Sequence, residues 1–161
     1  MSKITPFLWY ESEAEEAAQL YTSLFPDSRV DRVNRSPADA PGVKQGDVLT
    51  VEFTLAGASF VALNGGPGHP FNDAVSLSID CADQAEVDRY WTSLILGGGN
   101  PGPCGWLKDK FGVSWQVIPR QLPEYLQSDD RDGARRAMEA MLQMSKIDVQ
   151  QLREAFEGVP A

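Results

Sequence analysis

Leu49, Val51, Phe53 and Leu55 alternate with Thr50, Glu52 and Thr54. That two-residue period marks a strand with one buried face. Ala56-Gly57 turns the chain into a second strand over 59–64, so the pair predicts a hairpin. Upstream, Ala17, Leu20, Tyr21, Leu24 and Phe25 recur at helical spacing and predict a helix over 13–25. Ser12 is its expected N-cap, with Glu15 as capping-box partner, and Pro26 stops it. The apolar run from Ile4 to Tyr10 reads as a strand before this helix. Arg29 to Arg35 reads as a weak strand after it, in which Val30 and Val33 alternate. Residues 36–47, with Pro37, Pro41, Gly42 and Gly46, read as a loop.

The same order returns further along. Leu20-Tyr21-Thr22-Ser23-Leu24 is echoed by Tyr90-Trp91-Thr92-Ser93-Leu94, and Glu16 by Glu86. Ala74 to Ile79 is again a short apolar run followed by acidic residues and a helical pattern. That helix is expected over 84–96, capped by Asp83, with Val87, Tyr90, Trp91, Leu94 and Ile95 inward. Gly97-Gly98-Gly99 ends it. Strands follow at 104–108 and 113–118 across a turn at 109–112. Each half thus reads β-α-β-β-β, the sign of an internal duplication, with the first strand after the second helix poorly marked. The expected fold class is α+β, with paired βαβββ modules in a single domain over 1–161. Module 1 covers about 1–65, a linker 66–71, module 2 about 72–119, and a helical extension 120–158. In that extension a turn is expected at 122–127, with helices near 131–144 and 148–157.

Charge narrows the partners. Fourteen basic against 23 acidic side chains leave a formal charge of −9, which opposes binding to nucleic acid and to anionic membrane surfaces. No apolar run reaches the roughly 20 residues that span a bilayer. The N-terminal residues carry no export signature, so a cytoplasmic location is expected. Cys81 and Cys104 read as free thiols.

Four stretches carry a family resemblance: Ile4-Thr5-Pro6-Phe7-Leu8-Trp9, Leu63-Asn64-Gly65-Gly66-Pro67, Cys104 through Pro119, and Met141 through Asp148. With the duplicated βαβββ plan, the chain resembles the PhnB-like subfamily of the vicinal oxygen chelate superfamily. Its members often carry a 3-demethylubiquinone-9 3-methyltransferase domain label. The resemblance implies a glyoxalase/bleomycin resistance/dihydroxybiphenyl dioxygenase-like fold, in which strands curl around a cleft and helices lie outside. In most superfamily enzymes that cleft holds a divalent metal on the first and last strands of each module.

Those strands, placed at 4–10, 58–64, 74–79 and 113–118, contain no His, Asp, Glu or Cys. Gln116 stands about where the last carboxylate ligand would be, and a transition metal needs three or four imidazole, carboxylate or thiolate ligands. No metal site and no cofactor are therefore expected. The methyltransferase label finds no support either, because no glycine-rich loop leads from a strand into a helix as a nucleotide-type cofactor requires.

What remains is a cleft for a small molecule. Tyr10, Thr50, Asn64, Ser76, Ser78, Trp106, Ser114 and Gln116 are the expected lining. Glu52 and His69 are the candidate acid–base groups. Three readings stay open: a metal-free binding module, an enzyme using Glu52 or His69, and an association protein with a vestigial cleft. The resemblance implies a homodimer. The apolar stripe Ala134, Ala137, Met138, Met141 and Leu142 offers a second surface for it. Light scattering at micromolar concentration is expected to give twice the 17.7 kDa chain mass, and a monomeric mass would exclude the dimer.

Overall fold

The computed structural model describes residues 3–159. The chain divides into two compact units, residues 1–71 and 72–161. The first unit contains β1 (Phe7–Tyr10), α1 (Ala14–Leu24), β2 (Arg29–Arg35), β3 (Val48–Leu55) and β4 (Ala58–Asn64). Its sheet runs β1-β4-β3-β2, with β1 parallel to β4 and the other pairs antiparallel. The second unit contains β5 (Leu77–Cys81), α2 (Gln84–Ile95), β6 (Asn100–Pro101), β7 (Trp106–Lys108) and β8 (Ser114–Pro119). Its sheet runs β5-β8-β7-β6, the same order, and β5 is parallel to β8. Helices α3 (Gln121–Leu126), α4 (Arg131–Met141) and α5 (Val149–Glu157) complete it. Among the described residues no helix is long and apolar enough to cross a membrane.

In the first unit α1 packs on β3 and β4. Ala14, Ala17, Ala18 and Tyr21 of the helix meet the sheet face carrying Val51, Phe53, Leu55 and Ala62, all buried. The helix entry departs from expectation. Ser12 is not the cap: helix residues begin at Ala14, Glu13 stands at the N-cap without a side-chain bond, and Ala14 N donates to Asn64 Oδ1 at 2.8 Å. The same amide side chain donates from Nδ2 to Val48 O at 3.0 Å. Asn64 thus joins the end of β4 to the start of α1 and to β3, a contact between residues distant in sequence. The alternation expected along β2 is interrupted. Register shifts break it, and Val30 and Val33 stay more than a third exposed.

In the second unit α2 begins as expected. Asp83 accepts from Glu86 N at 2.9 Å, and Glu86 Oε2 accepts in return from Ala82 N at 2.8 Å. Val87, Tyr90, Trp91 and Leu94 are buried, as are Ile79, Leu107, Trp115 and Val117 of the sheet. The first strand of this unit starts later than its apolar run suggests. Val75 lies ahead of β5 and is 74% exposed, although its parity predicted burial.

The terminal helices build a satellite core in which Leu122, Ile147 and Leu152 are buried, with Ile118, Tyr125 and Met141 packed against it. Tyr125 and Phe156 stack at 4.7 Å. Arg136 donates to Ala155 O and Phe156 O and so satisfies carbonyls at the end of α5. Of the expected apolar stripe, Ala134 and Ala137 are buried, whereas Met138 and Leu142 remain about half exposed.

Asn64→Ala removes the acceptor for Ala14 N and the donor to Val48 O together. Leaving those backbone groups without partners is expected to cost about 1–3 kcal/mol. Urea denaturation should show a lower midpoint with an unchanged m-value.

Candidate functional site

Each sheet has one face under its helix, so candidate chemistry collects on the other. In the second unit that open face carries Trp106 and Lys108 from β7, Ser114 and Gln116 from β8, and Ser78 from β5. Trp106 pairs in register with Gln116, Gln116 with Ser78, and Lys108 with Ser114. Ser76, just before β5, accepts from Gln116 Nε2 at 2.8 Å. Ser114 is buried and its Oγ donates to Asp73 Oδ1 at 2.8 Å, while Lys108 Nζ lies 3.3 Å from the same oxygen. The Ser114 hydroxyl and then the Lys108 ammonium hold the Asp73 carboxyl below its usual range. Five of the expected lining residues are therefore neighbours on one surface.

Two local features hold this face in shape. Asp109, 2% exposed, accepts from Phe111 N (2.9 Å), Val113 N (3.0 Å) and Trp115 Nε1 (2.9 Å). One buried carboxylate thereby closes the β7–β8 hairpin and fixes the register that sets Trp106 beside Gln116. At the other end of β7, Gly102 N donates to Trp106 O at 2.8 Å. A Cβ on Gly102 would meet that oxygen at 2.9 Å, so the chain passes there only as glycine. A cavity of about 500 Å³ opens beside this strand. Asn100 to Cys104 form one wall, Trp106 and Leu107 another, and Asp73 and Lys108 are its charged lining residues. The size suits a small organic ligand.

The first unit's open face is more polar. Trp9, Leu63, Thr50 and Asn34 lie in one cross-strand row, and Phe7, Val61, Glu52 and Arg32 in the next. Asn34 Nδ2 donates to Thr50 Oγ1 and to Glu52 Oε1, each at 3.0 Å, tying two expected site residues together. Thr54 Oγ1 donates to Asp31 Oδ2 at 2.6 Å, and Arg29 Nε lies 2.8 Å from Asp31 Oδ1. A depression of about 650 Å³ includes Phe7, Arg29, Arg32, Glu52 and Thr54.

Two expected lining residues lie elsewhere. Tyr10 is 2% exposed on the helix side of β1, with its hydroxyl donating to Tyr21 Oη at 3.1 Å. Asn64 pairs with Tyr10 in register and serves the entry of α1. The side chains of β1 that reach the open face are Phe7 and Trp9. His69 is exposed and sits edge-on to Trp9, ring centroids 4.4 Å apart, outside the depression that holds Glu52. Asn34, Asp73 and Lys108 were missed by sequence reasoning. Lys108 could have been found by extending the Trp106 parity by two residues. Asn34 was hidden by the β2 register shifts, and Asp73 lies outside any strand.

A family model described as 3-demethylubiquinone-9 3-methyltransferase matches residues 2–118. Among solved structures, the PhnB protein from Bacillus cereus is 36% identical, with 73% of this chain and 99% of that one covered and a TM-score of 0.61. A protein from Pseudomonas aeruginosa is 21% identical over 71% of this chain and 95% of its own, TM-score 0.56, a likeness of fold alone. No curated protein matches the chain.

The chain belongs to the PhnB-like family.

The groups that the family's names imply can be tested against this PhnB-like chain. Among the described residues no three of His, Cys, Asp and Glu come together. The later start of β5 does bring Asp80 and Cys81 into a strand expected to hold a ligand, but they diverge. Asp80 lies outside with both oxygens on Arg120 Nε (3.2 and 3.0 Å), and Cys81 is fully buried under α2. These residues do not fit a chelated metal. The Gly65-Gly66 loop does not fit a nucleotide-type cofactor. A Cβ on Gly65 would lie 2.2 Å from the Trp9 indole, and one on Gly66 2.9 Å from Gly42 Cα. Gly65 N and Gly66 N already donate to Tyr10 O (3.0 Å) and Glu11 O (3.2 Å), so neither amide is turned to a phosphate. Trp9 Nε1 further donates to Gly66 O at 2.9 Å.

The two thiols of this PhnB-like protein should react differently. Burial first, then the nearby Glu86 and Asp80 carboxylates, push the Cys81 thiol up to about 12, while Cys104 is partly exposed in the cavity wall. Iodoacetamide at pH 8 is expected to label one thiol, Cys104, in the native protein and both in denaturant, as mass spectrometry of peptides will show.

Proposed function

We propose that this PhnB-like protein binds a small, flat, net-neutral molecule in the Trp106 cavity of its second unit, without a metal. The observation that carries the reading is a cavity of about 500 Å³ walled by Trp106, with the Asp73–Lys108 pair in its lining; Gln116 and Ser78 continue the Trp106 row outside that lining. Trp106 with Pro101 and Pro103 offers apolar surface to a ring. Asp73 and Lys108 offer an acceptor and a donor that already neutralise one another. A ligand carrying both a donor and an acceptor can bond each without displacing the pair. A net anion meets no unpaired cation among the lining residues and is opposed by the chain's formal charge of −9. The depression beside Glu52 is the more polar of the two, with Arg29, Asp31 and Arg32 in its lining, and His69 lies outside it, so acid–base chemistry by Glu52 or His69 is the weaker reading.

Indole-3-acetamide and indole-3-acetate match in shape and differ in charge. The amide is expected to raise the melting temperature, by about 2.7 kcal/mol of stabilisation at one hundred times its Kd, and to shield Cys104 from iodoacetamide. The acetate should bind more weakly. Trp106→Ala should abolish both effects. Absence of any shift across aromatic amides of this size, or a shift that survives Trp106→Ala, would exclude the cavity as the site.

A further inference from the structure

We propose that Ser145 is a positioning residue for the Trp106 cavity. With Met144 it holds the 102–105 wall, so the region C-terminal to the family match shapes the binding site. The inference rests on the reading of that cavity as a ligand site.

The wall is not part of a strand. The strand β6 ends at Pro101 and β7 begins at Trp106, so residues 102–105 belong to neither. Within the loop, Gly102 N bonds Trp106 O and Trp106 N bonds Pro103 O. Gly105 O accepts from Val117 N of β8 at 2.8 Å. The amides of Cys104 and Gly105 and the carbonyl of Gly102 turn the other way. All three are taken up by the segment between α4 and α5. Cys104 N donates to Met144 O at 2.8 Å, Gly105 N donates to Ser145 O at 2.8 Å, and Ser145 Oγ donates to Gly102 O at 2.6 Å. The backbone here is one that needs holding. Cys104 adopts φ +56°, a left-handed conformation rare for a side-chain-bearing residue, and Gly105 follows at φ +82°. Two successive left-handed residues turn both amides toward the Met144–Ser145 carbonyls.

The clamp is in turn anchored to α2. Gln84 Nε2 donates to Ile147 O at 3.1 Å and Gln84 Oε1 accepts from Val149 N at 2.8 Å. Lys146 Nζ lies 2.6 Å from Asp88 Oδ1. Ile147 is fully buried, and a Cβ on Gly105 would meet its Cγ1 at 3.0 Å, so the loop rests directly on this residue. Gly102, Pro103 and Cys104, which face the cavity, are thus held by residues beyond 118, where the family match ends.

The test uses the full chain. Ser145 is exposed, so Ser145→Ala leaves the buried cluster intact while removing the bond to Gly102 O. Release of the wall should speed iodoacetamide labelling of Cys104 roughly fivefold, the population change expected for one lost hydrogen bond. Ser145→Thr, which keeps the hydroxyl, should restore the slow rate. Affinity for indole-3-acetamide should fall with Ser145→Ala and return with Ser145→Thr. Equal Cys104 rates in wild type and Ser145→Ala overturn the proposal. So does concurrent labelling of Cys81, which reports loss of the whole unit rather than of one wall. Labelling is read without ligand, so failure of indole-3-acetamide to bind counts against the cavity as a site and leaves the labelling result to decide the clamp.

Discussion

A four-stranded sheet covered by a single helix has only one face out of water. In this protein that constraint assigns nearly every strand residue a role. Tyr10, Val51, Phe53 and Ala62 lie beneath α1, and Ile79, Leu107, Trp115 and Val117 beneath α2. Because side chains alternate, the polar partners of those residues are forced together on the opposite surface. Thr50 and Glu52 reach Asn34, and Trp106 stands beside Gln116, for no reason beyond the burial of their neighbours.

Alternation alone does not hold a site still. Buried polar atoms supply the precision. Asp109 closes a hairpin with three accepted bonds, and Asn64 ties a strand end to a helix start with one accepted and one donated. Each is a high-stakes arrangement, since a buried polar group without its partner costs more than the bond itself contributes. Both are local to one unit, so each sheet carries its own means of fixing the open face.

The family name speaks of methyl transfer, and the chemistry on these faces points elsewhere. The Gly65 and Gly66 amides are taken by Tyr10 O and Glu11 O, and the strands expected to hold a metal present Gln116, Asp80 and Cys81 in directions that do not converge. What distinguishes the second unit is a mostly apolar cavity with an indole wall and a self-neutralised charge pair. Its remaining wall is held from outside the family match, by a segment braced through Gln84 on α2.

The pattern of apolar positions was sufficient for the helices, the β3–β4 hairpin, the repeat of β-α-β-β-β and the helix side of β3 and β8. Those follow from spacing within a few residues, where local burial decides. The face of Trp106, Ser114, Gln116, Thr50 and Glu52 was legible for the same reason. Tyr10 was misread because β1 is short and uniformly apolar, so its parity is set only by pairing with β4, and Asn64 because the faces of β4 are set by its register with β3. The strand over 29–35 was legible, but the register shifts in β2 that set its faces were not. The cap of α1 comes from Asn64, not Ser12, and the cavity wall rests on Met144 and Ser145. Both join residues dozens of positions apart, and such bonds exist only once the strands have paired and the terminal helices have packed.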